Sequence, residues 1–365
     1  MSWKPRVVFL DGFAGPGRYE GGEPGSPIIA LESAKTHKAK LSEELAFLFI
    51  EERKDRANYL SKEIEALKCP DSFKTKVECG EFAPTLTAIL DKLAESDHKL
   101  APTFAMIDPF GFAGIPFELM KRLLDNPNCE LFVSFMVDSI NRWLEHPDPA
   151  IPGHIRDAFG NDEPFAVLGS NGDRAAELTE LYRKRLGTIA RFVRSFELRD
   201  KNDRVVYHLF FASKNRLGHL KMKEAMWKVD PLGDFSFSDA TNPDQQVFFK
   251  RAYEDTLKAD LVRQFDKMAD VLIERVERYV EDDTAFLPKH MREVLKVLES
   301  EGRVCVAEVK SDGNKRKKNT YPADRASGEE SGPSRIANAC EIKSLNHPPS
   351  TRVHWIANAS APKDW

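Results

Sequence analysis

Val7-Val8-Phe9-Leu10-Asp11-Gly12-Phe13-Ala14-Gly15-Pro16-Gly17 decides the fold. Four apolar residues, two of them β-branched, run straight into an acid and a glycine-rich turn. That is the pattern of a buried strand ending in a tight loop. Gly15 and Gly17 let the backbone pass close to a ligand where a Cβ would intrude. Ser26-Pro27 then opens a helix, expected over 27–40, whose free N–H groups favour a carboxylate or phosphate. An ordinary strand-to-helix turn has the same look in isolation, so the neighbouring segments must decide.

Leu45-Ala46-Phe47-Leu48-Phe49-Ile50 is a second apolar run, stopped by Glu51-Glu52 ahead of a polar helix over 53–67. A third strand, 75–79, ends at Gly80-Glu81-Phe82 before a helix over 84–95. A fourth, 103–107, ends at Asp108-Pro109-Phe110-Gly111 before a helix over 116–124, and 130–137 supplies a fifth with Asp138 at its end. Strands alternating with helices predict an α/β fold, a Rossmann-like parallel sheet covered on both faces, with its ligand beyond the strand C-termini. The stretch 139–187, interrupted by Pro147, Pro149 and Pro152, is expected to be an insertion. Residues 191–198 and 205–212 alternate around Asp200-Lys201-Asn202-Asp203, an antiparallel hairpin at the sheet edge.

A helix over 220–228 leads to 231–243, rich in Gly, Asp, Ser and Phe, which is expected to bound a first domain of residues 1–243. Residues 248–280 keep helical spacing as one long helix or two. A helix over 288–300, a strand over 303–309 and the basic run Lys315-Arg316-Lys317-Lys318 predict a winged-helix-like second domain, 244–324. A helical dimerisation appendage with an exposed basic loop would fit the same pattern. Residues 325–365, rich in Ser, Asn, Pro and Ala, are expected to form a disordered tail.

At 365 residues and 41% hydrophobic, the chain can bury a full-sized core. The apolar run near the N-terminus is only four residues long, so neither a signal peptide nor a membrane span is expected, and the compartment is expected to be cytoplasmic. Five cysteines without a CxxC pair argue against a zinc site or a disulfide framework, and no metal is expected. Net charge is −4, yet residues 183–228 hold 13 Lys and Arg against four acids. Such asymmetry marks either a polyanion-binding face or an ordinary solvated surface.

Each strand end fits one part of a nucleoside-bearing cofactor. An acid closing the second strand, Glu51 or Glu52, is placed to accept hydrogen bonds from ribose hydroxyls, and Glu81-Phe82 can take an adenine amine and ring face. Asp108 is left for the reacting end. The first loop is not GxGxxG, which argues against a nicotinamide enzyme, and no Lys-Ser or Lys-Thr follows the glycines, which excludes a P-loop.

Asp11-Gly12-Phe13-Ala14-Gly15-Pro16-Gly17 resembles the first motif of class I S-adenosylmethionine-dependent methyltransferases. Asp108-Pro109-Phe110-Gly111 resembles the fourth motif of amino-methyltransferases, in the DPFG form of tRNA guanine-N2 dimethyltransferases. More narrowly, these two segments resemble the bacterial three-Cys-motif partner (TcmP) family, together with Tyr207-His208-Leu209-Phe210-Phe211-Ala212-Ser213-Lys214 and Lys221-Met222-Lys223-Glu224-Ala225-Met226-Trp227-Lys228. Members usually carry a helical segment before the first strand, whereas this sequence starts almost on it. The resemblance implies S-adenosyl-L-methionine held by Asp11, Phe13, Ala14, Gly15, Gly17, Glu51, Glu52, Glu81 and Phe82. It implies methyl transfer to an exocyclic base nitrogen of RNA or DNA by Asp108, Pro109 and Phe110, with Phe110 or Phe112 stacking on the base. It also implies a three-Cys-motif protein partner. The alternative is a non-catalytic nucleic-acid-binding or complex-forming protein on the same fold. The basic stretch and the appended domain disfavour a small-molecule methyltransferase.

Overall fold

The computed structural model describes residues 6–38, 44–202, 204–231, 236–238, 252–268, 271–306 and 352–355. Contacts divide the chain into two units, Met1–Met222 with Phe235–Pro243, and Lys223–Asp234 with Asp244–Trp365. The division has a boundary between Pro243 and Asp244, where the sequence pattern puts it, and in addition assigns Lys223–Asp234 to the second unit.

The first unit is built on β1 (Arg6–Asp11), β2 (Glu44–Glu51), β3 (Phe73–Cys79), β4 (Thr103–Ile107) and β5 (Glu130–Phe135). Between them run α1 (Ser26–Thr36), α2 (Lys54–Ala66), α3 (Phe82–Glu95) and α4 (Phe117–Leu124). After β5 come α5 (Val137–Trp143), α6 (Ala150–Phe159), a 3₁₀ helix (Glu163–Gly169) and α7 (Arg174–Gly187). The hairpin β6 (Phe192–Arg199) and β7 (Val205–Ser213) follows, then α8 (Arg216–Val229) and β8 (Ser236–Ser238).

The strands join in the order β3-β2-β1-β4-β5-β7-β6-β8. β1 to β5 pair in parallel, and β7 is antiparallel to both β5 and β6. This is the doubly wound, Rossmann-like sheet with an antiparallel hairpin that the strand–acid–helix pattern predicts. β8 is an addition: where 231–243 reads as a linker, Ser236–Ser238 pairs in parallel with β6.

One face of the sheet presents Leu10, Ile50, Ile107, Val133, Phe135 and Phe210, and the other presents Phe47 and Phe49. The stretch 139–187 is a structural layer of the first face. Ile140, Ile155, Phe159, Leu178 and Tyr182 share its core, and the Tyr182 ring stacks on Phe135 at 4.2 Å between centroids. Asp138, expected at a strand end, instead lies in the first turn of α5 and binds Arg142 at 2.6 Å.

In the second unit the helical run 248–280 is broken into α9 (Ala252–Phe265), β9 (Val271–Leu272) and α10 (Ile273–Asp283). α11 (Pro288–Ser300), β10 (Val304–Val306) and β11 (Arg352–Trp355) complete it. The strands form an antiparallel sheet in the order β10-β11-β9. β11 falls within the stretch expected to be a disordered tail, and it is the central strand. Lys315 to Lys318 lie outside the described residues.

Candidate active site

The strand order places the C-terminal ends of β2, β1 and β4 side by side, and each carries an acid. Asp11 ends β1 with 0% exposure. Its Oδ1 accepts from the Phe13 N–H at 3.1 Å, and its Oδ2 from the Ser26 hydroxyl at 2.6 Å. Burial pushes its carboxyl up to about 6, against the opposing pull of the Ser26 and Phe13 hydrogen bonds and with the help of the charges on Asp108 and Glu51. Ser26 enters the sequence argument only as a helix start. Its place at the first position of α1 is the signal available in the sequence.

Glu51 is buried, and the structure separates it from Glu52. Its two oxygens accept from the Gly15 N–H and the Arg53 N–H, both at 2.9 Å, whereas the Glu52 side chain is exposed. The first loop is thereby fastened to its neighbours. The Gly12 N–H donates to the Met106 carbonyl and the Ala14 N–H to the Ile50 carbonyl, both at 2.9 Å. Consecutive amides from Gly12 to Gly15 all have protein acceptors, so this turn offers none of those N–H groups to a phosphate, unlike an anion cradle. What it presents is carboxylate.

The glycines serve different ends. Gly15 has φ +65° with nothing within 4 Å of where a Cβ would stand, so its left-handed backbone borders open space. A Cβ on Gly12 would meet the Phe82 ring at 2.6 Å. Phe82 is 4% exposed and packs against Phe13 at 5.3 Å between centroids, so its ring braces the loop and has no open face for an adenine. Glu81 is exposed at the N-cap of α3 and makes no side-chain cap bond.

The loop after β4 separates its aromatics. Phe112 is buried in the core, whereas Phe110 is 91% exposed. Gly111 (φ +132°) and Gly114 (φ +75°) turn the chain around them. Pro109 is buried and Asp108 is exposed. Asp108 is not the cap of the following helix, since α4 begins at Phe117 with Pro116 at its N-cap. Among the described residues no Lys or Arg forms an ion pair with Asp11, Glu51 or Asp108. Arg53, the nearest in sequence to Glu51, turns its guanidinium to Asp55 at 2.7 Å.

Several charges of the basic stretch 183–228 are engaged within the protein. Arg183 and Lys184 meet Glu180, Arg185 binds the Phe159 carbonyl, Arg199 meets Glu197, Arg204 meets Asp200 and Lys214 meets Asp125. Among the described residues no group of His, Cys, Asp and Glu is arranged to hold a metal ion, and no helix is long and apolar enough to cross a membrane.

No protein-family model and no curated protein matches the chain. Among solved structures it is similar to a human methyltransferase 10 domain containing protein, at 16% identity over 59% of this chain and 73% of that one, with a TM-score of 0.29. It is also similar to a geranyl diphosphate methyltransferase in complex with GPP and sinefungin (9% identity, 58% and 74% of the two chains, TM-score 0.28). A spermidine synthase from Thermotoga maritima is a third (11%, 80% and 69%, TM-score 0.28). At such scores the likenesses decide nothing about this chain, whose site has to be judged from its own residues.

Proposed function

We propose that the protein is an S-adenosyl-L-methionine-dependent methyltransferase acting on an exocyclic base nitrogen of RNA or DNA. The observation that carries this is the carboxylate-rich strand edge: Asp11, Glu51 and Asp108 form no ion pair among the described residues, beside a glycine loop bordering open space. An edge of acceptors suits a ligand that is cationic and rich in donors, as a sulfonium nucleoside with ribose hydroxyls and an ammonium group is. It repels a pyrophosphate.

When bound, S-adenosylmethionine supplies an electrophilic methyl group. Glu51, fixed by two backbone N–H groups, is the ribose acceptor, and Gly15 allows close approach. Asp108 accepts a hydrogen bond from the target amine and takes up the proton released as the N–C bond forms. The Pro109 carbonyl accepts a second, and the exposed Phe110 ring stacks on the base, holding the nitrogen in line. Transfer of labelled methyl groups to total RNA, genomic DNA and cell-extract protein, compared with Asp108→Ala, tests this. Label on protein alone, or label unaffected by the substitution, overturns it.

The second unit favours a nucleic-acid target. Helix, strand, two helices and two strands, with β11 central in an antiparallel sheet, is the order of a winged helix. In that reading α11 is the groove-facing helix, with Lys289 and Lys296 exposed along it.

A further inference from the structure

His208 is a buried titratable group that the proposed reaction leaves unused, and the strand register puts it beside the reacting edge. β7 runs antiparallel to β5, so its first residues lie where the parallel strands end. Phe135, the last residue of β5, pairs with His208. Ile107, the last of β4, pairs with Val133, whose own partner in β7 is Phe210. His208 therefore stands at the height the chain reaches two residues beyond Ile107, just past Asp108. Two strand spacings, roughly 10 Å, separate β7 from β4. Residues two apart in a strand share a face, so His208 lies on the side of Phe210, whose ring centroid is 6.1 Å from its own. Phe112 belongs to the core of that same face, which anchors there the loop bearing Asp108 and Phe110.

His208 is 9% exposed, yet neither ring nitrogen makes a hydrogen bond among the described residues. Its Nε2 stands 4.0 Å from the Glu197 Oε2, too far for a hydrogen bond, and the Arg199 guanidinium occupies the other oxygen of that carboxylate. Burial holds the imidazole below its usual pKa, against the pull of Glu197, so at pH 7 it is neutral, with one donor and one acceptor. α5 starts two residues beyond Phe135 and packs on β7, and it brings a second such group: the Asn141 Oδ1 is buried without a hydrogen-bond partner. Buried polar groups are paired in a working protein by the chain, by water or by a ligand. Arg199 and Glu197 neutralise each other here and leave no net charge to draw a phosphate, so a planar base with polar ring edges fits better than nucleic-acid backbone.

Resting on the methyltransferase reading above, we infer that His208 is a specificity-determining residue on the acceptor side of the site, hydrogen-bonding the ring edge of the base whose amine meets Asp108. The strand order divides the edge between two ligands: β2 and β1 carry the acids assigned to the cofactor, and β7 lies on the other side of β4. A base stacked on Phe110 reaches from the Asp108 loop toward β7, and its ring edge satisfies the imidazole. His208 serves that edge without changing its protonation and takes no part in the proton transfer.

The test compares the full-length native protein with His208→Leu, His208→Phe and His208→Gln. Calorimetric titration with S-adenosylmethionine is set beside the initial rate of labelled methyl transfer to total RNA and to genomic DNA, at subsaturating nucleic acid. Leu and Phe remove both polar atoms, one as a branched chain and one as a ring, whereas Gln keeps a donor and an acceptor. Leu and Phe variants are expected to bind the cofactor within about twofold of native and to lose about tenfold in transfer rate, with Gln recovering to within about threefold. Either apolar variant suffices if the other does not fold. Native transfer rates in an apolar variant, a loss in His208→Gln as large as theirs, or cofactor affinity falling along with transfer in both apolar variants overturns the inference and leaves the methyltransferase reading standing. A native protein that binds S-adenosylmethionine and labels neither RNA nor DNA overturns the inference together with the nucleic-acid target, and one that does not bind it overturns the cofactor assignment as well.

Discussion

Gly15 and Gly17 show how two residues of one motif can be separated by what surrounds them. At Gly15 the backbone is left-handed but the space beside it is empty, so Gly15→Val costs about 2 kcal/mol of backbone strain and leaves the fold intact. Loss of S-adenosylmethionine binding in calorimetry, with the circular dichroism spectrum unchanged, is the expected outcome. At Gly17, φ +83° is combined with a Cβ position 2.7 Å from Leu60 Cδ1, so Gly17→Val destabilises further, as a thermal melt would register. Asp11 makes a prediction in pH. Its carboxyl is raised from 3.8 to about 6 in the fold, so the folded state binds its proton more tightly than the unfolded chain does. The ligand-free protein therefore gains stability from this group as pH falls from about 6 to about 4, and above pH 6 ionisation costs roughly 3 kcal/mol. Asp11→Asn keeps an acceptor for Phe13, while its amide can donate to Ser26, so denaturant titrations should show that variant lacking this pH-dependent component. At this scale the sequence was legible where a residue type dictates backbone or position, as for the left-handed Gly15 and for Glu51 and Asp108 at the strand ends. It was not legible for the aromatics. Phe82 and Phe112 are core residues and Phe110 is exposed, and only the path of the loop separates them.

Elements read well wherever an apolar run meets an acid, because burial on both faces leaves a parallel strand no polar alternative. β1, β2 and β4 lie where their patterns place them, and β5 begins at Glu130 as expected but ends two residues early, at Phe135. The misplaced pieces are those whose structure depends on distant partners. β11 is four residues in a polar context, made a strand by pairing with β9 and β10. Part of the excess charge of 183–228 is met by acids outside that window, Glu180 and Asp125, and Arg185 is tied to the Phe159 carbonyl. Lys223 is another such case. It is 1% exposed, and its ammonium donates to the carbonyls of Val280, Glu281 and Thr284 at 2.9 to 3.0 Å, closing the C-terminal end of α10. Lys223→Met keeps the stem and removes the donors. The expected loss is about 2 to 3 kcal/mol in the second unit, seen as faster amide exchange in α10 than in β1 to β5. Nearby, burial and the charges of Lys289 and Lys223 hold His290 down at about 4, and its Nδ1 accepts from the Leu287 N–H at 3.2 Å. The unfolded chain then binds more protons between about pH 6.5 and 4, so this group's contribution is complete at neutral pH and is lost on acidification. Its sign is opposite to that of Asp11.

At the scale of the whole molecule, the candidate chemistry and the candidate nucleic-acid contacts fall in different units, which makes them separable by substitution in the full chain. The proposed catalytic edge draws on Asp11, Glu51 and Asp108 of the first unit, and the proposed groove-facing helix on Lys289 and Lys296 of α11 in the second. If α11 lies in a duplex groove, each lysine that neutralises a phosphate releases condensed counterion, and affinity falls linearly with salt on a double-logarithmic plot. Lys289→Ala and Lys296→Ala should each lower the magnitude of that slope by about one and weaken binding alike across duplex sequences, while leaving S-adenosylmethionine affinity unchanged. Gly15→Val should do the reverse, abolishing cofactor binding and keeping the slope. The informative measurement is fluorescence anisotropy of one labelled duplex across a salt series for the native chain and these three variants. A native slope near zero removes the nucleic-acid assignment of the second unit and points the exposed Phe110 toward a protein or small-molecule acceptor. A steep slope that both lysine variants leave intact keeps nucleic acid as the partner and moves the contact away from α11. Only the first of these outcomes also bears on what the methyl group is delivered to, because recruitment through the second unit is what favours a base over any other planar acceptor.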